Sequence, residues 1–140
     1  MGDRFLRPHW LALLAEALLH VGLPDEGLAA VREGLAEVRH TGRSFSESEL
    51  HRLKGELLLL RLERDEAERC LHEAIEVARR QSARSFELRA AMSLARLGQT
   101  QQRKAEAQRP LEEAYGWFTE GLDTTDLVEA RALLAHLAEP

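Results

Sequence analysis

The chain has 140 residues, of which 31% are charged and only 5% aromatic, and its formal net charge is −5. Ala, Leu, Glu and Arg dominate, and because these are strong helix formers the composition predicts one all-α domain. Acidic and basic residues are interspersed, so no basic stripe indicates nucleic acid. Charged residues interrupt every apolar segment before it could span a membrane, and the lone Cys70 fits a reducing compartment. We therefore expect a cytoplasmic protein whose partner is neither nucleic acid nor a membrane.

A repeat with a period of 40 residues runs through the chain. Three columns of small residues recur, spaced 12 and then 7 positions apart, and every position in them holds Ala or Gly. Two antiparallel helices approach closely only where no bulky side chain separates their backbones, so each column predicts a helix crossing. The columns are Ala15, Gly55 and Ala95; Gly27, Ala67 and Ala107; and Gly34, Ala74 and Ala114.

Each unit is predicted to be a helical hairpin made of helix A, a tight turn and helix B. In chain order the predicted helices are A at 8–21, B at 24–40, A at 45–61, B at 64–81, A at 85–99 and B at 102–119.

The three repeats span 8–41, 44–82 and 84–120, and an amphipathic helix at 124–138 would cap the last apolar face. The predicted fold is therefore a single all-α domain over 1–140. It is a right-handed α–α superhelix of three helical hairpins plus a C-terminal capping helix.

Four segments resemble the C-terminal tetratricopeptide region of large bacterial signalling ATPases, some of which carry adenylate cyclase domains. The segments are LALLAEALLHVGLPDEGLAAV, ELHRLKGELLL, RSFELRAAMSLARL and YGWFTEGLDTTDLVEARALLAHL. The resemblance implies a tetratricopeptide-like solenoid that serves as the sensory or scaffold arm of a signalling or transcription-regulatory ATPase. ATPase and cyclase activities are not implied, because the sequence does not contain those domains. The 40-residue period also departs from the usual 34 of the family.

In tetratricopeptide solenoids the A helices line a concave groove, and the family's slot pattern implies which side chains of this chain would face it. Arg52, Arg89 and Arg96 would form a basic patch for a carboxylate or an acidic peptide. The alternative is structural, with adjacent A helices pairing Glu49 with Arg89 and Glu56 with Arg96. The implied groove residues are Glu16, Leu19, His20, Glu49, Arg52, Glu56, Leu59, Arg89, Met92, Arg96 and Gln99.

Two apolar surfaces are also expected. Leu19, Leu59, Leu60 and Met92 would put an apolar strip in the groove that could seat an amphipathic helix or an extended segment, or that could simply pack against a neighbouring helix. At the N-terminal edge, Trp10, Leu13 and Leu14 open the first A helix with no repeat before them to cover it. That edge invites stacking against a second copy or an upstream domain.

Signals for catalysis are missing from the sequence. No Gly-rich phosphate loop or HExxH motif occurs, and no pair of His residues has metal-ligand spacing on one helix face. We therefore expect no catalytic residues, no metal and no cofactor. The leading hypothesis is a module that binds a protein or peptide, and the second is a homodimer formed through the N-terminal edge. An enzyme or small-ligand receptor is a third, which would require a deep polar pocket with a perturbed titratable group.

Overall fold

A computed structural model describes residues 3–42 and 44–139, with side chains from Leu6 onward. The described residues form seven α-helices and no β-strand, which confirms the all-α prediction. The helices are α1 (Asp3–His20), α2 (Pro24–Thr41), α3 (Glu47–Leu60), α4 (Arg64–Arg80), α5 (Arg84–Thr100), α6 (Lys104–Tyr115) and α7 (Thr125–Leu137). None of them is both long enough and apolar enough to cross a membrane.

The helix ends agree with the predicted ones to within two residues except at two places. Helix α1 begins at Asp3 rather than at residue 8, so that Pro8 lies inside it. The prediction that the third B helix runs to residue 119 is wrong, because α6 ends at Tyr115. The amide of Trp117 bonds to the Ala114 carbonyl (3.4 Å) and that of Phe118 to the Tyr115 carbonyl (3.1 Å), so a tight turn replaces the helix.

The turns between the first six helices share one feature that repeats every 20 residues. Each contains a residue with a left-handed backbone, and the five are Gly22 (φ 78°), Gly42 (φ 88°), Leu62 (φ 61°), Ser82 (φ 53°) and Gln102 (φ 57°). A left-handed residue after a helix closes the last turn and redirects the chain, so a single residue reverses the direction of each hairpin. The 40-residue repeat is therefore built from two similar helix–turn halves.

All nine residues of the small columns are buried. A Cβ added at Gly34 would lie 2.9 Å from Cδ2 of Leu50, and one added at Gly27 would lie 2.6 Å from Cδ2 of Leu57. A Cβ at Gly55 would lie 2.9 Å from Leu71. These distances are shorter than normal carbon contacts, so the prediction that the columns mark close helix approaches is confirmed.

The helices divide into two layers. Each helix contacts the next in the chain, and α1, α3, α5 and α7 also contact one another in series. Among the described residues, α2, α4 and α6 make no such contacts with one another. We call the side formed by α1, α3, α5 and α7 the A layer. The core between the layers is in two parts, one around α1 to α4 and one around α4 to α7.

Candidate interaction surfaces

A chain of ion pairs runs across the A layer. Within α3, Nε and Nη2 of Arg52 each donate a hydrogen bond of 3.0 Å to the Glu49 carboxylate. Arg52 also lies 4.0 Å from Glu16 of α1, and Arg89 of α5 lies 3.1 Å from Glu49 and 3.5 Å from Asp126 of α7. These contacts join all four A-layer helices, and the Glu49–Arg89 pair predicted from the repeat is present.

The second predicted pair is different in the structure. Arg96 lies 3.5 Å from Glu129 of α7 and is paired with that carboxylate rather than with Glu56. Sequence reasoning did not identify Asp126 and Glu129 as partners, because the sequence alone could not place α7 beside α5.

Arg52, Arg89 and Arg96 are therefore each paired with a carboxylate of the same chain. The side chain of Arg52 is only 11% exposed. Burial on its own would lower the Arg52 pKa, but the hydrogen bonds to Glu49 and the charges of nearby carboxylates outweigh it and raise the pKa. The three arginines named for the basic patch lie among five carboxylates, so they do not form a patch of unopposed positive charge. The five are Glu16, Glu49, Glu56, Asp126 and Glu129.

The apolar strip expected along the A layer is incomplete. Met92 is only 3% exposed and belongs to the core cluster that includes Leu127 and Ala130 of α7. The expectation that Met92 lines an open groove is therefore wrong, and Glu49 is likewise buried. Leu19 and Leu59 are half-buried and pack against the core, whereas His20 is exposed and Gln99 is partly exposed.

Helix α1 presents a much more open apolar surface. Trp10, Leu13 and Leu14 are 61%, 44% and 49% exposed, in agreement with the uncovered N-terminal edge expected from the sequence. The spacing of exposed apolar residues along α1 places them within an arc of about 100°, opposite the buried face that holds Leu11 and Ala15. We call this set the outer stripe of α1: Leu6, Trp10, Leu13, Leu14, Ala17 and Val21.

The sequence interpretation named only three of these six residues. Leu6, Ala17 and Val21 complete the stripe, and Val21 extends it beyond the last helical residue because its amide still bonds to the Ala17 carbonyl at 3.1 Å. The signal that would have found them is the same i, i+3, i+4 periodicity that marks a buried helix face.

Part of the equivalent face on the next A helix is buried. The residues 40 positions after Trp10, Leu13 and Ala17 are Leu50, Leu53 and Leu57, and all three are completely buried. Helix α2 covers them, since its two column glycines approach Leu50 and Leu57 directly. The positions that follow Leu14 and Val21 by 40 residues are the partly exposed Lys54 and the exposed Arg61. In the second repeat the centre of this face therefore packs against another helix, whereas on α1 it is exposed.

A buried carboxylate on the opposite side of α5 was not predicted. Glu87 is fully buried and accepts hydrogen bonds from Arg79 (3.1 Å) and Arg84 (3.3 Å). Arg84 also stacks over the Trp117 ring at 3.6 Å, and Arg79 bonds to Glu113 of α6 at 2.9 Å. Because every charge here has a partner, this network holds α4, α5, α6 and the segment after α6 together.

Titratable and metal-binding groups give little sign of chemistry. Burial raises the pKa of the Cys70 thiol, which makes it a poor nucleophile. Burial also lowers the pKa of His51, and the neighbouring Glu73 and Glu47 only partly offset this. Within residues 3–42 and 44–139, no three His, Cys, Asp or Glu side chains come close enough to hold a metal ion.

Comparisons with known proteins identified no relative of this chain. A scan of protein-family models, a search of curated proteins and a search of solved structures each found no match to this chain. The resemblance to tetratricopeptide regions therefore stays a prediction carried by the residues quoted above.

Proposed function

We propose that this chain is a protein-interaction module with a tetratricopeptide-like superhelical arrangement, and that it binds a helical partner through the outer stripe of α1. One observation carries the proposal: the stripe is open on α1, while the equivalent residues Leu50, Leu53 and Leu57 of α3 are completely buried under α2. An apolar face that wide on a helix surface is favoured only when something covers it.

The arrangement of the helices supports the tetratricopeptide part of the proposal. The column residues lie buried at helix approaches, and the A helices contact one another in series while the B helices do not. This is the arrangement expected when helical hairpins stack side by side. On the resemblance stated above, the module would be the sensory or scaffold arm of a bacterial signalling or transcription-regulatory ATPase.

The A layer is a weaker candidate for the binding surface. Its arginines are engaged with carboxylates of the same chain, and Met92 is inaccessible. An acidic peptide would have to compete with Glu49 for Arg52 and Arg89, and a buried pair broken in that way is costly.

Capture of partners from the source cell tests the two surfaces against each other. The bait is the wild-type chain, Trp10→Glu or Arg96→Ala, because Trp10 and Arg96 are both exposed and neither change removes core packing. We expect partners to be lost with Trp10→Glu and retained with Arg96→Ala. Partners retained by Trp10→Glu would contradict the proposed site, and their loss with Arg96→Ala would favour the A layer.

A further inference from the structure

The outer stripe of α1 has an internal symmetry that identifies its occupant, provided that the proposed binding function of this face is right. Its six positions are symmetric about the point midway between Leu13 and Leu14, since each residue number and its counterpart add up to 27. The three pairs that this symmetry defines are Leu6 with Val21, Trp10 with Ala17, and Leu13 with Leu14.

Such symmetry is what a two-fold interface between identical helices requires. In a two-fold dimer, if one residue contacts a second on the partner, the second contacts the first in return. Two copies of α1 packed antiparallel, with the axis between Leu13 and Leu14, bring the members of each pair to the same level. The largest side chain of the stripe, Trp10, then lies opposite the smallest, Ala17, so that a large residue faces a small one on each side of the axis.

We infer that α1 packs antiparallel against α1 of a second copy of this chain, with Trp10 of each copy seated over the partner's Ala17. The centre of this face resembles a helix–helix contact already present in the molecule, because Leu50, Leu53 and Leu57, at the equivalent positions of α3, are buried against α2. Among its described side chains the stripe contains no charge, so its burial leaves no ion unpaired.

The other end of the molecule is a poor match for the stripe. Helix α7 exposes a smaller apolar face, formed by Val128, Ala132 and Ala135, and polar side chains flank it at Glu129, Arg131 and His136. Head-to-tail stacking of α7 on α1 would therefore place these flanking side chains next to an apolar stripe that offers them no partner. A two-fold pairing of α1 with itself buries the stripe and leaves α7 in solvent.

Sedimentation equilibrium across the micromolar range tests the dimer. The wild-type chain is expected to show twice the 15.8 kDa mass of one chain. Trp10→Glu is expected to raise the dissociation constant at least about thirtyfold, as for an aromatic anchor at the centre of an interface. Val128→Glu, a matched change on the exposed surface of α7, is expected to leave it unchanged. A monomeric wild type, or a dimer insensitive to Trp10→Glu, would overturn the inference.

Crosslinking tests the antiparallel register without disturbing Trp10. Leu6→Cys and Val21→Cys are made in a Cys70→Ala background and joined with a bismaleimide of short reach. At a rise of 1.5 Å per residue, two copies of position 6 lie about 22 Å apart along the antiparallel pair, while position 6 is level with position 21 of the partner. The mixture of the two variants should crosslink and each variant alone should not. Crosslinking of each variant alone would indicate a parallel pair and overturn the inference.

The experiments distinguish failure of the antiparallel dimer from failure of the outer stripe as a binding site. If the chain is monomeric but Trp10→Glu abolishes capture of a different protein, the antiparallel dimer is wrong and the outer stripe remains a binding site. If the chain is monomeric and capture is indifferent to Trp10, both are wrong.

Discussion

The first two A helices, α1 and α3, occupy the same place in successive repeats and differ chiefly in what covers them. Leu50 on α3 is completely buried under α2, whereas Trp10, 40 residues earlier on α1, is 61% exposed. Both positions carry large apolar side chains, and their environments are opposite. The comparison shows that an apolar face in a repeat protein indicates a surface that can pack against another helix. Whether that surface is buried depends on the neighbouring helices.

The largest expected effect contrasts Leu50 with Trp10 directly. Leu50→Ala leaves a cavity beside Gly34 and should lower the free energy of unfolding by about 3 kcal/mol. Trp10→Ala removes a mostly exposed side chain and should cost less than about 1 kcal/mol in the monomer.

Urea unfolding followed by circular dichroism measures both changes, at protein concentrations low enough to keep the chain monomeric. An equal loss for the two variants would show that α1 is packed like α3, and the contrast between the two faces would then be lost.

The fold was largely predictable from the sequence because its main constraint is local. Helices can approach closely only at small residues, so the sequence alone indicated that Ala15, Gly55 and Ala95 are buried. The exposed face of α1 was also predictable, because Trp10, Leu13 and Leu14 have the spacing of a packed helix face.

The details of the A layer were less predictable because they depend on the placement of α7. Met92 is buried in a cluster that α7 helps to form, and Arg89 and Arg96 find partners at Asp126 and Glu129. None of these contacts follows a 40-residue rule, since α7 is a single helix outside the repeat. The expected basic patch failed because its arginines were considered without the carboxylates that this last helix brings to them.

A smaller effect is expected from the turn that follows each of these two helices. The first turn has Gly22 in the left-handed conformation, and the second has Leu62 there, with a side chain that is 75% exposed. Because the left-handed conformation costs a residue with a Cβ roughly 1–2 kcal/mol, Leu62→Gly should stabilise the chain by about 0.5–1 kcal/mol after the entropy cost of glycine.

The control is Gly22→Ala, which adds a Cβ to a left-handed residue where Leu62→Gly removes one. Gly22→Ala should destabilise the chain by about 1 kcal/mol through the backbone alone, because a Cβ at Gly22 would have no heavy atom within 4 Å. Thermal unfolding of both variants measures the difference, and a loss of stability in Leu62→Gly would mean that the Leu62 side chain makes contacts that outweigh backbone strain.

The smallest expected effect on stability concerns one position of the repeat, which is Leu11 on α1 and His51 on α3. Burial lowers the His51 pKa below its ordinary value of 6.5, against the opposing influence of Glu73 and Glu47 and with support from Lys54 and Arg80. Well above pH 6.5 the imidazole is neutral in both the folded and the unfolded chain, so there it contributes nothing to the pH dependence of stability. Below that pH the unfolded chain binds the proton more readily, and stability should fall as the solution is acidified.

Comparison of the wild type with His51→Gln isolates this contribution from the titration of the carboxylates. The free energy of unfolding of the wild type should fall more steeply than that of His51→Gln as the pH drops from about 7 to about 5, the range in which an unperturbed histidine titrates. Parallel curves for the two chains would mean that His51 gains as much from Glu47 and Glu73 as it loses by burial. In that case the polar residue in this slot of α3 would be as well accommodated as the leucine that fills it on α1.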